Sequence, residues 1–184
     1  MKQAGFPVGP AALFDEVGID VGAHVAEVLS DKFESRGAKT STKAAELLES
    51  DYKGRKNGKG FYKYGQDSGK KKEVNNDIYQ YFGGSNRKKM DTAEVEKRML
   101  YTMVNEAALC LQEEILLSPG DGDLGAILGL GFPPFLGGPF RFIDNKGVTA
   151  VVAEMSKLQE KHGDRFRPAQ LLKDYESKDM KFHK

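Results

Sequence analysis

The 184-residue chain has one cysteine, Cys110. No internal disulfide is possible, and a reducing setting is the default for such a chain. No stretch approaches the ~18 consecutive apolar residues that mark a membrane-crossing helix. Net charge is nearly absent: 28 Lys and Arg stand against 27 Asp and Glu, leaving +1. No global field therefore favours nucleic acid or an acidic membrane. Histidine is scarce, at 24, 162 and 183, and none has the spacing to acidic or thiol partners that a metal site needs. Apolar residues make up 39% and charged residues 30% of the chain, which suggests a mostly helical protein with a limited core.

What is present is a repeated order of residues. "GFPVGPAALFDEVGID" runs over 5–20, and "GFPPFLGGPFRFID" over 131–144. Gly5-Phe6-Pro7 matches Gly131-Phe132-Pro133 at an offset of 126. Gly9-Pro10, Asp15 and Gly18 match Gly138-Pro139, Asp144 and Gly147 at an offset of 129. One three-residue insertion reconciles the two offsets. An amphipathic pattern follows each copy: Val21, Val25, Val28 and Leu29, then Val148, Val151, Val152, Met155 and Leu158. The prolines and glycines of each motif make a turn that launches a helix. Phe140 and Phe142 are expected to pack inward, with Asp144 repeating the role of Asp15. The fold class expected is all-α, with two tandem related helical repeats. A motif this structured beginning at Gly5 also predicts a piece of a longer protein, and Met1–Gly5 does not read as a signal or transit segment.

The patterns place helices near 8–18, 20–34, 40–50, 75–82, 92–117, 119–128, 138–145, 147–162 and 168–174. Only Gly60–Tyr64 looks extended. Asp91-Thr92-Ala93-Glu94 reads as a capping box ahead of the longest helix. Ser118 and Pro119 read as N-cap and first residue of the next, with Asp121 and Asp123 favouring its N-terminus electrostatically. The division expected is a first repeat at 1–65, a linker at 66–90 and a second repeat at 91–184.

Several stretches invite a chemical reading. "GRKNGKG" at 54–60 lacks the spacing, the hydroxyl and the preceding strand of a phosphate loop. Arg55, Lys56 and Lys59 remain candidates for an anionic ligand such as a nucleotide phosphate; the alternative is a solvated turn that leads Phe61 and Tyr62 into the core. "GDGDLG" at 120–125 follows a helix and carries two aspartates where pyrophosphate would sit, so it is no dinucleotide fingerprint. His24 has Glu27 three residues on, and His162 sits in a last helical turn, where the dipole favours a cation. Cys110 reads as an inert thiol near an apolar face. Asn105-Glu106 is either a functional polar pair or a flank of the packing stripe. The basic runs Lys70–Lys72 and Arg87–Lys89 have few interleaved aromatics and read as solvated joints, with no nucleic-acid surface.

Taken together, "GFPVGPAALFDEVGID", "GRKNGKGFY", "MVNEAALCLQEEI", "SPGDGDLGAILGLGFPP" and "GGPFRFID" resemble the C-terminal helical region of 3-hydroxyacyl-CoA dehydrogenases. The similarity is to the multifunctional fatty-acid-oxidation type, in particular the alpha subunits of mitochondrial trifunctional enzymes. It runs from Gly5 to about Leu172, and "KFHK" at the end is similar to that tail. The resemblance implies an upstream enoyl-CoA hydratase domain and an upstream dinucleotide-binding domain that holds NAD and the catalytic residues. It implies no catalytic residue, no cofactor and no metal in this chain, which would be inactive alone. It implies an acyl-CoA substrate, a thiolase beta subunit as partner, and a mitochondrial location on the matrix side of the inner membrane, whose surface is a further possible partner. The first repeat would wall the acyl chain, with Phe6, Pro7, Val8, Gly9, Pro10 and Leu13 as lining candidates, since burying a chain gains about 0.8 kcal/mol per methylene. The second repeat would take the place of a partner subunit, with Asn105 and Glu106 structural. An assembly module that docks a thiolase subunit or a membrane is the alternative.

Overall fold

The computed structural model describes residues 1–36, 43–64 and 73–184. The expected linker residues 66–72, the basic run Lys70–Lys72 among them, lie outside the described residues. The chain forms two compact units: Val8–Lys89, and Met1–Pro7 together with Met90–Lys184.

The Val8–Lys89 unit begins with α1 (Pro10–Val17) and α2 (Ile19–Lys32), joined at Gly18. Pro10 stands at the first helical position, where its missing N–H costs nothing. Then come α3 (Lys43–Glu49) and a two-residue hairpin, β1 (Tyr62–Lys63) antiparallel to β2 (Glu73–Val74), with Tyr62 opposite Val74. The extended reading of 60–64 thus finds a partner at Glu73, which the sequence placed in a linker. A 3-10 helix follows at Asn76–Phe82, capped by the Asn75 side chain accepting from the Asp77 N–H. The core is small: Ile19, Leu47, Tyr52 and Ile78, with Leu48, Phe61, Tyr79 and Tyr81 packed around it.

The other unit holds α4 (Thr92–Gln112), α5 (Pro119–Leu130), α6 (Pro139–Lys146), α7 (Val148–His162) and α8 (Gln170–Ser177). Phe140 and Phe142 are buried as expected, in one cluster with Val104, Ala108, Phe132, Ile143, Val151, Met155 and Leu172. The ring of Phe6 belongs to this cluster, edge-on to Phe132 at 5.9 Å. The contact between the two Gly-Phe-Pro motifs is reciprocal. A Cβ on Gly5 would meet Pro133 and Phe135, and a Cβ on Gly131 would meet Pro7. Both glycines also have positive φ, at 93° and 69°, so each position needs glycine twice over.

Three details of the sequence reading change. Helix α4 ends at Gln112, not 117, because Glu114 turns left-handed (φ 60°) and the N–H groups of Ile115 and Leu116 both fold back on the Cys110 carbonyl. The capping box does not close. Asp91 accepts from the Ala93 N–H, while Glu94 points across to α7 and binds Lys161 and His162, both at 2.8 Å. Those two residues sit at the C-terminal end of α7, where positive charge is favoured. Finally, Ser118 caps α5 as expected, but Asp123 does not serve that helix; it serves α6.

Candidate functional site

The repeat motif organises each unit around one aspartate. Asp15, on α1, is fully buried. Its carboxylate accepts from the N–H of Phe61 at 2.8 Å, the N–H of Tyr62 at 2.9 Å and the hydroxyl of Tyr64 at 3.0 Å. Its backbone carbonyl accepts from the Arg55 N–H at 2.9 Å. Gly60 lies against the carboxylate so closely that any Cβ there would overlap it. Burial and the Asp15 charge together push the Tyr64 phenol upward, so it stays a neutral donor. The Gly54–Gly60 turn is therefore held from beneath by Asp15.

Asp144 holds the equivalent place in the second copy. It accepts from the N–H groups of Phe182 and His183, each at 2.9 Å, and so ties the chain end to α6. The sequence reading that Asp144 repeats Asp15 has a structural counterpart here: each aspartate takes two consecutive N–H groups, one from a Phe, of the segment that closes its repeat. His183 then reaches Asp123 at 2.8 Å. Asp123 is buried, and its oxygens also accept from the N–H groups of Phe140 and Arg141, at 2.7 and 3.3 Å. Burial nevertheless holds its carboxyl above the usual carboxylate range. This charge at the N-terminus of α6 is the favourable orientation for a helix dipole.

The acyl-wall candidates do not share one environment. Phe6 is buried against Phe132, and Pro7 packs on Gly131. Val8 and Gly9 are half-buried, Pro10 is exposed, and Leu13 is 48% exposed on α1. Of the anion candidates, Arg55 pairs with Glu16 at 2.8 Å, Lys56 pairs with Asp20 at 2.8 Å, and Lys59 lies over the Tyr52 ring at 5.9 Å. An incoming phosphate has to compete with two carboxylates. Asn105 is buried, donating to the Arg167 carbonyl and accepting from the Ala169 N–H, so it fixes the approach to α8. Cys110 is a half-buried free thiol. His24 is exposed on α2, and no cluster among the described residues has the make-up of a metal site.

A shallow cleft of about 700 Å³ lies over the 3-10 segment, lined by Asn76, Asp77, Tyr79, Gln80 and Arg87, with the Arg87 guanidinium 3.7 Å above the Tyr79 ring. Sequence reasoning did not single it out, because Arg87 read as part of a solvated basic joint.

Comparison with known proteins agrees with this architecture. The family described as 3-hydroxyacyl-CoA dehydrogenase, C-terminal domain, matches twice, at residues 1–64 and 95–181. The fatty acid oxidation complex subunit alpha of Shewanella amazonensis is 47% identical over 173 residues, covering 94% of this chain but 24% of that protein. The chain thus spans about a quarter of the length of this curated relative. The dehydrogenase part of multifunctional enzyme 1 from C. elegans superposes with a TM-score of 0.65 at 29% identity, over 94% of this chain and 40% of that one. The 3-hydroxybutyryl-CoA dehydrogenase of Escherichia coli superposes with a TM-score of 0.67 at 21% identity, over 95% and 52%, a likeness of fold. The mitochondrial location expected from the sequence is corrected by this comparison. The Shewanella relative is bacterial, and bacteria have no mitochondria, so the similarity carries no mitochondrial assignment.

Proposed function

The chain belongs to the 3-hydroxyacyl-CoA dehydrogenase C-terminal domain family, and on that premise we propose that it is the C-terminal part of a long-chain, NAD-dependent 3-hydroxyacyl-CoA dehydrogenase. The full-length protein would also carry enoyl-CoA hydratase. The observation that carries this reading is the 47% identity, over nearly the whole chain, to an alpha subunit of a fatty acid oxidation complex. The reaction oxidises the C3 alcohol of a 3-hydroxyacyl-CoA to a ketone; the hydride goes to NAD and the hydroxyl proton to a base.

The glycines of 120–125 do not fit NAD: they lie within α5 beside Asp121 and a buried Asp123, whose charge would repel a pyrophosphate. NAD and the base are therefore assigned to the domain that precedes this chain in the longer protein. The role left to this chain is to shape the apolar side of the substrate site and to hold that shape. Val8 and Gly9, which precede α1, and Pro10, its first residue, carry the acyl-wall assignment. Phe6 and Pro7 support it through the packing of the paired Gly-Phe-Pro motifs. Asp15 and Asp144 lock each repeat closed.

A second reading treats the chain as an assembly module that docks a thiolase subunit. It is favoured by the exposed Leu117, Leu124 and Leu128 before and along α5, at 92, 59 and 77%. Both readings are tested with purified protein. The full-length polypeptide should form NADH from a long-chain 3-hydroxyacyl-CoA, and the 184-residue chain alone should not. Turnover by the chain alone would overturn the supporting role assigned here. No turnover by the full-length protein would overturn the dehydrogenase reading. Retention of a thiolase subunit by this chain, lost on Leu124→Ser/Leu128→Ser, would favour the second.

A further inference from the structure

The two copies close on their aspartates with differently held segments. In the first copy, Asp15 takes the N–H groups of Phe61 and Tyr62, and strand pairing holds that segment as well, Tyr62 lying opposite Val74. In the second copy, Asp144 takes the N–H groups of Phe182 and His183. Gly60-Phe61-Tyr62-Lys63 thus matches Lys181-Phe182-His183-Lys184. Lys181 stands where Gly60 does, so this segment cannot copy the close approach of Gly60 to its carboxylate. Among the described residues, 181–184 pair with no strand and make no hydrogen bond from backbone to backbone.

Side chains hold the segment instead. Helix α8 ends where the Asp179 N–H donates to the Glu176 carbonyl at 3.2 Å and the Met180 N–H to the Tyr175 carbonyl at 2.9 Å. Asp179 is left-handed there, at φ 48°, which turns the chain out of the helix. The Phe182 ring then stacks on Tyr175 at 4.2 Å, 11° from parallel, and lies 5.0 Å from the Phe140 ring. His183 reaches Asp123 at 2.8 Å. That carboxylate also accepts from the Phe140 and Arg141 amides at the start of α6. Three helices so present one groove. It offers a slot for a ring between Tyr175 and Phe140, one carboxylate for two successive amides, and a second carboxylate for an imidazole.

We propose that this groove between α5, α6 and α8 is a recognition site for an extended Phe-His segment, and that residues 181–184 occupy it in cis as a latch. Recognition of extended peptides takes affinity from main-chain hydrogen bonds and specificity from side-chain pockets. Asp144 supplies the first; the Tyr175–Phe140 slot and Asp123 supply the second. The latch opens as one unit, because no backbone ladder ties it to its neighbours. Opening it uncovers Phe140 and leaves Asp123 to the α6 amides alone. The start of α6 then loosens with the latch, while α7, whose Val151 and Met155 are sealed in the core, does not.

The test follows amide hydrogen exchange in the 184-residue chain carrying Phe182→Ala. The amides at 182 and 183 should exchange at least about tenfold faster, and those of Phe140 and Arg141 at least about fivefold faster, with Val151 and Val152 unchanged. A synthetic peptide of residues 179–184, added in excess, should return Phe140 and Arg141 to the protection they have in the unmodified chain. The same peptide carrying Phe182→Ala should not. Unchanged exchange at 182 and 183, or at Phe140 and Arg141, would overturn the proposal. So would recovery that is absent with both peptides or equal with both. Loss of protection at Val151 and Val152 also counts against it, because the segment would then be part of the core and no latch.

Discussion

Asp15 offers the most direct way to break one repeat. Its carboxylate is buried and satisfies three donors: the Phe61 and Tyr62 amides and the Tyr64 hydroxyl. Asp15→Ala removes the acceptor that these three donors share. A hydrogen bond to a charged group contributes about 1.5–3 kcal/mol, which sets a gross loss of about 4.5–9 kcal/mol for three. Removing a buried charge returns part of its desolvation cost, so a net loss of about 3–5 kcal/mol is expected. Domains hold about 5–15 kcal/mol in total, so this single change should bring the Val8–Lys89 unit close to unfolding. Asp15→Asn keeps the volume but turns an N–H₂ toward a donor, and should fall between wild type and alanine. The assay is urea denaturation, with exchange of the Phe61 and Tyr62 amides followed in parallel. A loss under about 1 kcal/mol for alanine, with those amides still protected, would refute the claim that this carboxylate closes the repeat. Asp144→Ala should cost less, about 1–2 kcal/mol, because the Phe182 and His183 amides lie near the chain end and can be rehydrated.

Asn105→Ala removes both bonds that hold the residues before α8 and should destabilise the Met90–Lys184 region by about 2 kcal/mol, seen as a lowered urea midpoint with an unchanged slope. Asp123→Asn should change the pH dependence of stability. Burial raises the Asp123 carboxyl above its ordinary 3.8, so the stability it contributes is fully present below 3.8 and falls as pH rises through the higher folded value. The asparagine variant should lack that fall, and parallel wild-type and variant profiles across this window would contradict it. Glu94 works in the opposite sense. Its hydrogen bonds from Lys161 and His162 lower its carboxyl, so its contribution is present above 4.5 and is lost as pH falls through the lower folded value; Glu94→Gln should remove that acid-side loss in an acid titration.

Much of the scaffold was legible in the chain itself. Pro10 and Pro139 mark helix starts, Gly18 and Gly147 mark the joints that follow, and the matched offsets declare a duplication. These are short-range rules of backbone sterics and hydrogen-bond closure, and they act within a few residues. Where a second segment takes part, the sequence read differently from the structure. Glu94 has the spacing of a capping residue but finds Lys161 and His162 on α7. Asp123 is the fifth residue of α5 yet serves a helix that begins sixteen residues later. Ile115 continues the apolar stripe of α4 but lies past a left-handed turn at Glu114.

The sequence by itself determined the helical class, the two copies and the matched aspartates, because a periodic pattern and a repeated motif are properties of one strand of chain. Only the tertiary structure decided what each aspartate holds, that Phe6 and Phe132 pack as a pair, and that Leu13 is uncovered where Phe142 is not. Those outcomes depend on which segments meet across tens of residues, and a buried carboxylate takes whichever N–H groups the fold brings within about 3 Å.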